Sequence, residues 1–171
     1  MSKISSERKP KPLAPILEKI TMKIERANID DHIILSDIAF KGKSYWNYTT
    51  EQLNSWKEDL TISKDYINKF DVYKLVDEKT TIGFFSLIEI DSKTIKVDYF
   101  FMYPKFIGKG NGKRLISSVI QLSSKKSANR IILDADPNAQ KFYEHFGFTK
   151  YAEIESSIKN RFLPQMELII K

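Results

Sequence analysis

Five consecutive residues, Gly108-Lys109-Gly110-Asn111-Gly112, carry the clearest chemical signal in the chain. Three glycines at the start of a helix let the backbone turn tightly and aim successive N–H groups at one point, where the helix dipole adds positive potential. Lys105, Lys109, Lys113 and Arg114 supply charge suited to a diphosphate. A plain strand-to-helix turn also needs glycine, so the loop alone leaves both readings open. No lysine followed by Ser or Thr completes a phosphate-binding P-loop, and no acidic residue ends a next parallel strand in a doubly wound pattern. With no cysteine, thiolate chemistry, disulfides and Cys-ligated metals are excluded. His32 and His145 are the two histidines, too few for a His-rich centre, and no metal is expected.

The elements that position the loop can be read on either side of it. Alternation from Thr21 to Ala27 predicts a strand. Asn28, Asp30 and Asp31 offer N-cap oxygens to a helix carrying Ile34, Leu35, Ile38 and Ala39 and ending near Gly42. Thr49 with Gln52 forms a capping box before Leu53, Trp56 and Leu60, and Ser63 caps a short helix with Tyr66 and Ile67. Three strands follow, Val72–Val76, Thr81–Ile88 and Thr94–Met102, as an antiparallel meander. The last runs through Pro104 into the glycine loop and a helix carrying Leu115, Ile116, Val119, Ile120 and Leu122. Arg130–Leu133 is a buried strand that returns through that helix, hence parallel to its predecessor. A short helix over Ala139–Phe146 and strand-like pieces Tyr151–Glu155 and Gln165–Ile170 complete the chain.

The chain has 171 residues, 42% hydrophobic and 12% aromatic, which fits one globular core. We read residues 1–15 as a basic, Pro-rich lead-in and 16–171 as a single domain. Half of the net charge of +6 comes from Lys3, Arg8, Lys9 and Lys11 set against Glu7, so a nucleic-acid partner is not expected. No run of 18 apolar residues appears, and no apolar stretch of a signal peptide follows the basic start. The expectation is a cytoplasmic protein with no membrane partner.

The run Phe100 to Leu115 resembles the acetyl-CoA motif of the GNAT acetyltransferases, (Gln/Arg)-x-x-Gly-x-(Gly/Ala), with Ile107 where Gln or Arg is usual. Ala135 to Phe148 resembles the family segment ending in Tyr-x-x-x-Gly-Phe. Lys43 to Tyr48 and Ser157 to Pro164 look like segments of a small-molecule-type branch, so the resemblance spans roughly Met22 to Ile170. It implies an α/β fold of the α+β kind: a mixed, mostly antiparallel sheet flanked by helices, with a splayed parallel strand pair at the cofactor site.

The resemblance also implies roles. Acetyl-CoA is the expected co-substrate, held by Phe100, Phe101, Met102, Gly108, Lys109, Gly110, Asn111, Gly112, Lys113, Asn138 and Tyr143. The Met102 N–H would face the thioester oxygen. Tyr143 is the candidate acid for the departing thiolate and Asp98 the candidate base. Tyr45, Trp46 and Tyr48 would form an aromatic lid over the acceptor, with Ser156, Ser157 and Arg161 at its edge. The expected partner is a small primary amine; a protein or peptide amine, and a non-catalytic acyl-CoA sensor, remain as alternatives. An exposed C-terminal strand edge suits a homodimer.

Overall fold

The computed structural model describes residues 21–171, so the predicted lead-in over residues 1–15 lies outside the described residues. Strand β1 (Lys23–Arg26) leads through a 3-10 turn (Ile29–Asp31) into helices α1 (His32–Ser44), α2 (Thr50–Ser55) and α3 (Lys64–Lys69). The 3-10 turn and helices α2 and α3 start at side chains read from the sequence, while α1 continues from the turn without a side-chain cap of its own. Asn28 and Asp31 cap the first reciprocally, Thr49 and Gln52 form the box at α2, and Ser63 accepts from the Tyr66 N–H at α3.

The meander is β2 (Asp71–Asp77), β3 (Thr80–Glu89) and β4 (Thr94–Met102). A 3-10 turn (Pro104–Phe106), helix α4 (Asn111–Lys125), strand β5 (Arg130–Asp134), a turn (Pro137–Ala139), helix α5 (Gln140–His145) and the pair β6 (Thr149–Glu155) and β7 (Phe162–Ile169) follow. They form one seven-stranded sheet of order β1-β2-β3-β4-β5-β7-β6. β4 and β5 are parallel and every other pair is antiparallel. Strand β7 starts three residues earlier than the sequence suggests and contains Pro164. Its carbonyl accepts from Ala135 N–H, past the last β5–β7 pair Asp134↔Gln165, so the missing N–H falls beyond the end of that ladder.

Apolar residues cover both faces of the sheet. One face packs Ile95, Val97, Leu133 and Met166 against Leu115, Ile116 and Val119 of α4 and Tyr143 of α5. The other packs Val72 and Phe84 against Leu35, Ile38 and Ala39 of α1, with Trp56, Leu60 and Ile67. No helix among the described residues is long and apolar enough to cross a membrane.

Two local features open the sheet where chemistry is expected. Opposite β3, Leu87 pairs with Val97 and Phe85 with Phe100, so Asp98 and Tyr99 together face Ser86 as a β-bulge. Ser86 Oγ accepts from the Tyr99 N–H at 3.0 Å. The β4–β5 ladder covers Thr94–Val97 against Arg130–Leu133 and stops there. Above that level β4 keeps β3 as its partner but has lost β5. Lys96 and Gln165 both reach Asp134, each at 2.8 Å, and fasten the last rung before the fork.

The upper end of β4 lies tight under α1. A Cβ placed on Gly42 would sit 2.9 Å from the Met102 carbonyl oxygen and 3.1 Å from the Phe101 ring. Exposed Gly→Ala changes at compatible positions stabilise by about 0.4–1 kcal/mol. Gly42→Ala should do the opposite and cost about 1–3 kcal/mol through overpacking against backbone. Urea unfolding of both proteins measures this, and an unchanged or higher midpoint would show that α1 can lift off β4.

Candidate active site

The glycine loop closes β4 onto α4. Gly108 and Gly110 hold left-handed φ values of 77° and 80°, conformations in which L side chains are strained. Gly112 is there for space instead, because a Cβ would lie 2.9 Å from the Phe142 ring. Asn111 is buried and donates from its side chain to the Phe106 carbonyl at 3.1 Å, which locks the loop. Gly110 caps α4 without a side chain, leaving the first-turn N–H groups of this 15-residue helix directed out of its end. Lys105, Lys109, Lys113 and Arg114 are exposed around that end.

Phe100, Phe101 and Met102 lie on the part of β4 that has lost β5. Phe100 and Met102 face α4 and α5, whereas Phe101 faces α1. The Tyr143 ring sits among Phe100, Phe142 and Phe148, with centroids 5.2–5.9 Å apart. Its residue is buried, yet the phenol oxygen has no hydrogen-bond partner among the described residues. The one fully enclosed side-chain polar atom without a partner there is Ser123 Oγ, so the small exposed part of Tyr143 includes its hydroxyl. Burial holds this phenol well above the ordinary tyrosine range, and the nearby Asp136 charge pushes the same way. Tyr143 therefore keeps its proton at neutral pH.

Asp98 is exposed at the bulge. It accepts from Tyr66 Oη at 2.6 Å, and Tyr66 also meets Ser86 Oγ at 2.8 Å. Tyr66 is held protonated by its burial and then by this bond to Asp98. One oxygen of Asp98 is thus oriented and the other has no side-chain partner among the described residues.

The other arm of the fork carries a charged cage. Asp136, just past β5, accepts from Lys43 Nζ at 2.7 Å, from Tyr48 Oη at 2.7 and 2.9 Å, and from Arg161 Nη2 at 3.3 Å. The Asn138 backbone N–H and side-chain Nδ2 both donate to Asp136 Oδ1 at 3.0 Å. Arg161 Nη2 also donates to Tyr48 Oη at 2.8 Å, and Asn138 Nδ2 reaches the same atom at 3.1 Å. Lys43 and Arg161 lie 4.7–5.3 Å from the ring centres of Tyr48 and Trp56, and Trp56 Nε1 donates to Ser157 Oγ at 3.2 Å.

Electrostatics inside the cage are unequal. Burial would raise Asp136, but the Lys43 charge and the bonds from Lys43, Tyr48 and the Asn138 N–H overcome it and hold the carboxyl below its usual range. Lys43 is held below its own range by burial despite Asp136, and the Arg161 charge adds to that. The two directions agree once the charges are counted, because one carboxylate serves two cations.

Of the aromatic lid read from the sequence, only Tyr48 joins this cage. Tyr45 and Trp46 pack edge-on against each other at 4.8 Å, and Tyr45 is exposed. Ser157 and Arg161 are in place, and Asn138 turns its side chain toward Tyr48 and Asp136. Lys43, Trp56 and Asp136 were not singled out as site residues; Asp136 before Pro137 reads locally as a turn cap. A wider, open basic depression of about 700 Å³ between α1 and the β2–β3 turn, lined by Lys41, Lys79, Tyr103 and Lys105, shares none of the cage residues.

A mixed sheet that forks between two parallel strands, with an uncapped glycine-started helix at the fork, defines an acyltransferase-type α/β fold. The chain belongs to the acetyltransferase (GNAT) domain family, whose model matches residues 44–168. It is 29% identical over 92 residues to the uncharacterized N-acetyltransferase ycf52 of Gracilaria tenuistipitata var. liui, covering 54% of this chain and 50% of that protein. The match thus spans half the length of that relative. The fold is similar to the PaiA N-acetyltransferase from Thermoplasma acidophilum solved with coenzyme A (TM-score 0.72, 20% identity, 86% of this chain and 98% of that chain). It is also similar to the acetyltransferase YncA from Salmonella typhimurium solved with acetyl-CoA (TM-score 0.63, 18% identity, 88% and 94%).

The cage should matter for stability as well as chemistry. Asp136→Ala strands two cations, each in a side chain at most 15% exposed. Removing one partner of such a buried cluster costs about 3 kcal/mol, the lower end of the usual range given the residual exposure. Because folding lowers the Asp136 pKa, its stabilisation is complete above the ordinary carboxylate value and is lost as pH falls through the folded one. The difference between parent and variant in urea unfolding should be full at pH 7 and shrink below about pH 4. A gap that stays constant from pH 7 to pH 2.5 would show that the Asp136 charge does not hold the cage.

Proposed function

We propose that this protein is an acetyl-CoA-dependent N-acetyltransferase acting on the primary amine of a small molecule. The observation that carries the reading is the Tyr143 phenol: a ring buried among Phe100, Phe142 and Phe148, with a hydroxyl that has no partner among the described residues. Acetyl-CoA, when bound, supplies an activated acyl carbon and a thiolate leaving group. The residues present fit it. The uncapped α4 end and the left-handed Gly108 and Gly110 offer N–H groups to a pyrophosphate without the side chain missing at Ile107. The lysines around the loop add charge, and the unpaired upper edge of β4 at Phe100–Met102 suits an extended arm carrying amide groups.

Amine attack forms a C–N bond as the C–S bond breaks, so the sulfur must gain a proton and the nitrogen lose one. Tyr143 holds a proton for the sulfur. Asp98, aimed by its hydrogen bond from Tyr66, is the residue suited to take one from the amine, directly or through water. The cage of Lys43, Tyr48, Asp136 and Arg161 closes the cleft from the α1–α2 and β6–β7 loops, which supports a small acceptor over a protein chain. The outer strand β6, with Tyr151 and Ile154 exposed, supports pairing with a second copy along that edge.

Two measurements test the reading. Acetyl-CoA should raise the melting temperature of the parent, and Gly110→Val should abolish the shift while the protein stays folded. A Cβ at Gly110 would meet no atom within 4 Å, so backbone conformation rather than crowding is what this change attacks. Equal shifts in both proteins would reduce the loop to a turn. Tyr143→Phe keeps the ring's packing and should lower kcat by about 10–10²-fold, at or below the low end for general-acid assistance because a thiolate leaves readily. An unchanged kcat under conditions where chemistry limits the rate would remove Tyr143 from the mechanism.

A further inference from the structure

The cage has chemistry that acetyl transfer by itself does not require. Asp136 accepts from Lys43, Tyr48, Arg161 and both nitrogens of Asn138, so its two oxygens are saturated. It has no capacity left to hold the ammonium group of a substrate. Arg161 is the reverse case. Both of its hydrogen bonds leave from Nη2, and among the described residues Nε and Nη1 have no partner. Neither nitrogen is fully enclosed, since among the described residues Ser123 Oγ is the one fully enclosed side-chain polar atom without a partner. In this fork the Nε–H and Nη1–H groups lie on different edges and diverge, so each can give one charge-assisted hydrogen bond to an oxyanion.

The surroundings hold that fork still. Arg161 follows Asn160, whose φ is 62°, in a tight connection closed by Ser156 N–H to the Arg161 carbonyl at 2.7 Å and Arg161 N–H to the Ile158 carbonyl at 3.1 Å. Its guanidinium stacks against Tyr48 and Trp56, and Trp56 anchors the same loop through Ser157. Lys43 contributes a second positive charge about one ring away, with Asp136 as its sole hydrogen-bond acceptor among the described residues. Two cations against one carboxylate leave the cage with a net charge of +1, in a place where water is largely excluded. Such a site favours an anion and repels a polycation.

We propose that the acceptor amine carries an oxyanion, a carboxylate or a phosphate, which accepts from a free N–H of Arg161, at Nε or Nη1, beside Lys43. This rests on the acetyltransferase reading above and narrows it: anionic amines of the amino-acid or phospho-amine kind are acceptors, and polyamines are not. Arg161 is then the residue that selects the substrate. Asp136 is a positioning residue, which fixes Lys43 and Arg161 without touching the acceptor.

The test is a set of matched acceptors with the full chain: tyrosine and tyramine, phenylalanine and phenethylamine, O-phosphoethanolamine and ethanolamine, and spermidine. Free thiol release from acetyl-CoA gives kcat/KM for each. In at least one pair the oxyanion-bearing member should exceed its neutral-tailed counterpart by about 10–10²-fold, the worth of a hydrogen bond to a charged group, and the pair in which it does so identifies carboxylate or phosphate. The ratio should fall toward one in Arg161→Gln and be partly kept in Arg161→Lys, mainly through KM. Equal or better turnover of the decarboxylated amines, ethanolamine or spermidine overturns the proposal while leaving acetyl transfer intact. If no acceptor is acetylated and acetyl-CoA gives no melting shift, the acetyltransferase reading fails. Calorimetric titration of each pair then still decides the anion site, since equal affinity within every pair overturns it.

Discussion

Parallel pairing between β4 and β5 stops at Val97 and Leu133, and the position of each chemical group follows from that stop. The bulge at Asp98–Tyr99 turns β4 while Ser86 satisfies the displaced Tyr99 N–H, so the turn leaves no stranded donor. Asp134, tied to Lys96 and Gln165, keeps the strands together up to the last rung. Beyond it the two strands present free edges to each other. One arm carries Phe100–Met102 toward the glycine loop and the other carries Asp136 toward the cage. Had the ladder continued, backbone hydrogen bonds would fill the gap beside Phe100, against which the Tyr143 ring packs.

The two sides of the fork differ in chemistry. Toward α4 and α5 the walls are aromatic, and the polar groups are backbone N–H donors and one phenol kept protonated by burial. Toward α1, α2 and the β6–β7 loop the walls are charged, with aromatic rings packed against the cations. A thioester with a long amide arm suits the first wall, and a compact polar amine suits the second. Burial and the nearby Asp136 charge both hold the proton on the Tyr143 phenol.

Much of this was legible in the sequence because it is written locally. Left-handed φ values at Gly108 and Gly110 demand glycine, and the apolar strand before them and the helical spacing after them fix what the loop joins. The pairs Thr49–Gln52 and Asn28–Asp31 are cap chemistry within four residues. The parallel β5 follows from a strand reached through a helix. Tyr143 came from the resemblance of its segment to a known one. The cage was legible only in part: Tyr48, Asn138, Ser157 and Arg161 came with the resemblance, but the pairing that holds them together did not, because Lys43 and Asp136 are separated by 93 residues. Lys43 looks like a helix-surface cation, Trp56 like a core aromatic, and Asp136 like a cap for the Pro137 turn, a role it does fill. Pro164 also misled, since a proline normally marks a strand boundary and here sits where one neighbouring ladder has already ended.

The strand order β5-β7-β6 has a consequence for how such a chain is made. Of the described strands β7 is the last to be synthesised, yet it occupies an inner slot, with β5 on one side and β6 on the other. While β7 is still inside the ribosome, β5 has an open edge and β6 has nothing to pair with. The half-sheet from β1 to β5 can form as the chain emerges, but Arg161 arrives only just ahead of β7. The fork's floor is therefore built early and its charged wall closes last. A nascent chain stalled before Arg161 would bury much of its core while lacking the contact that completes the cleft.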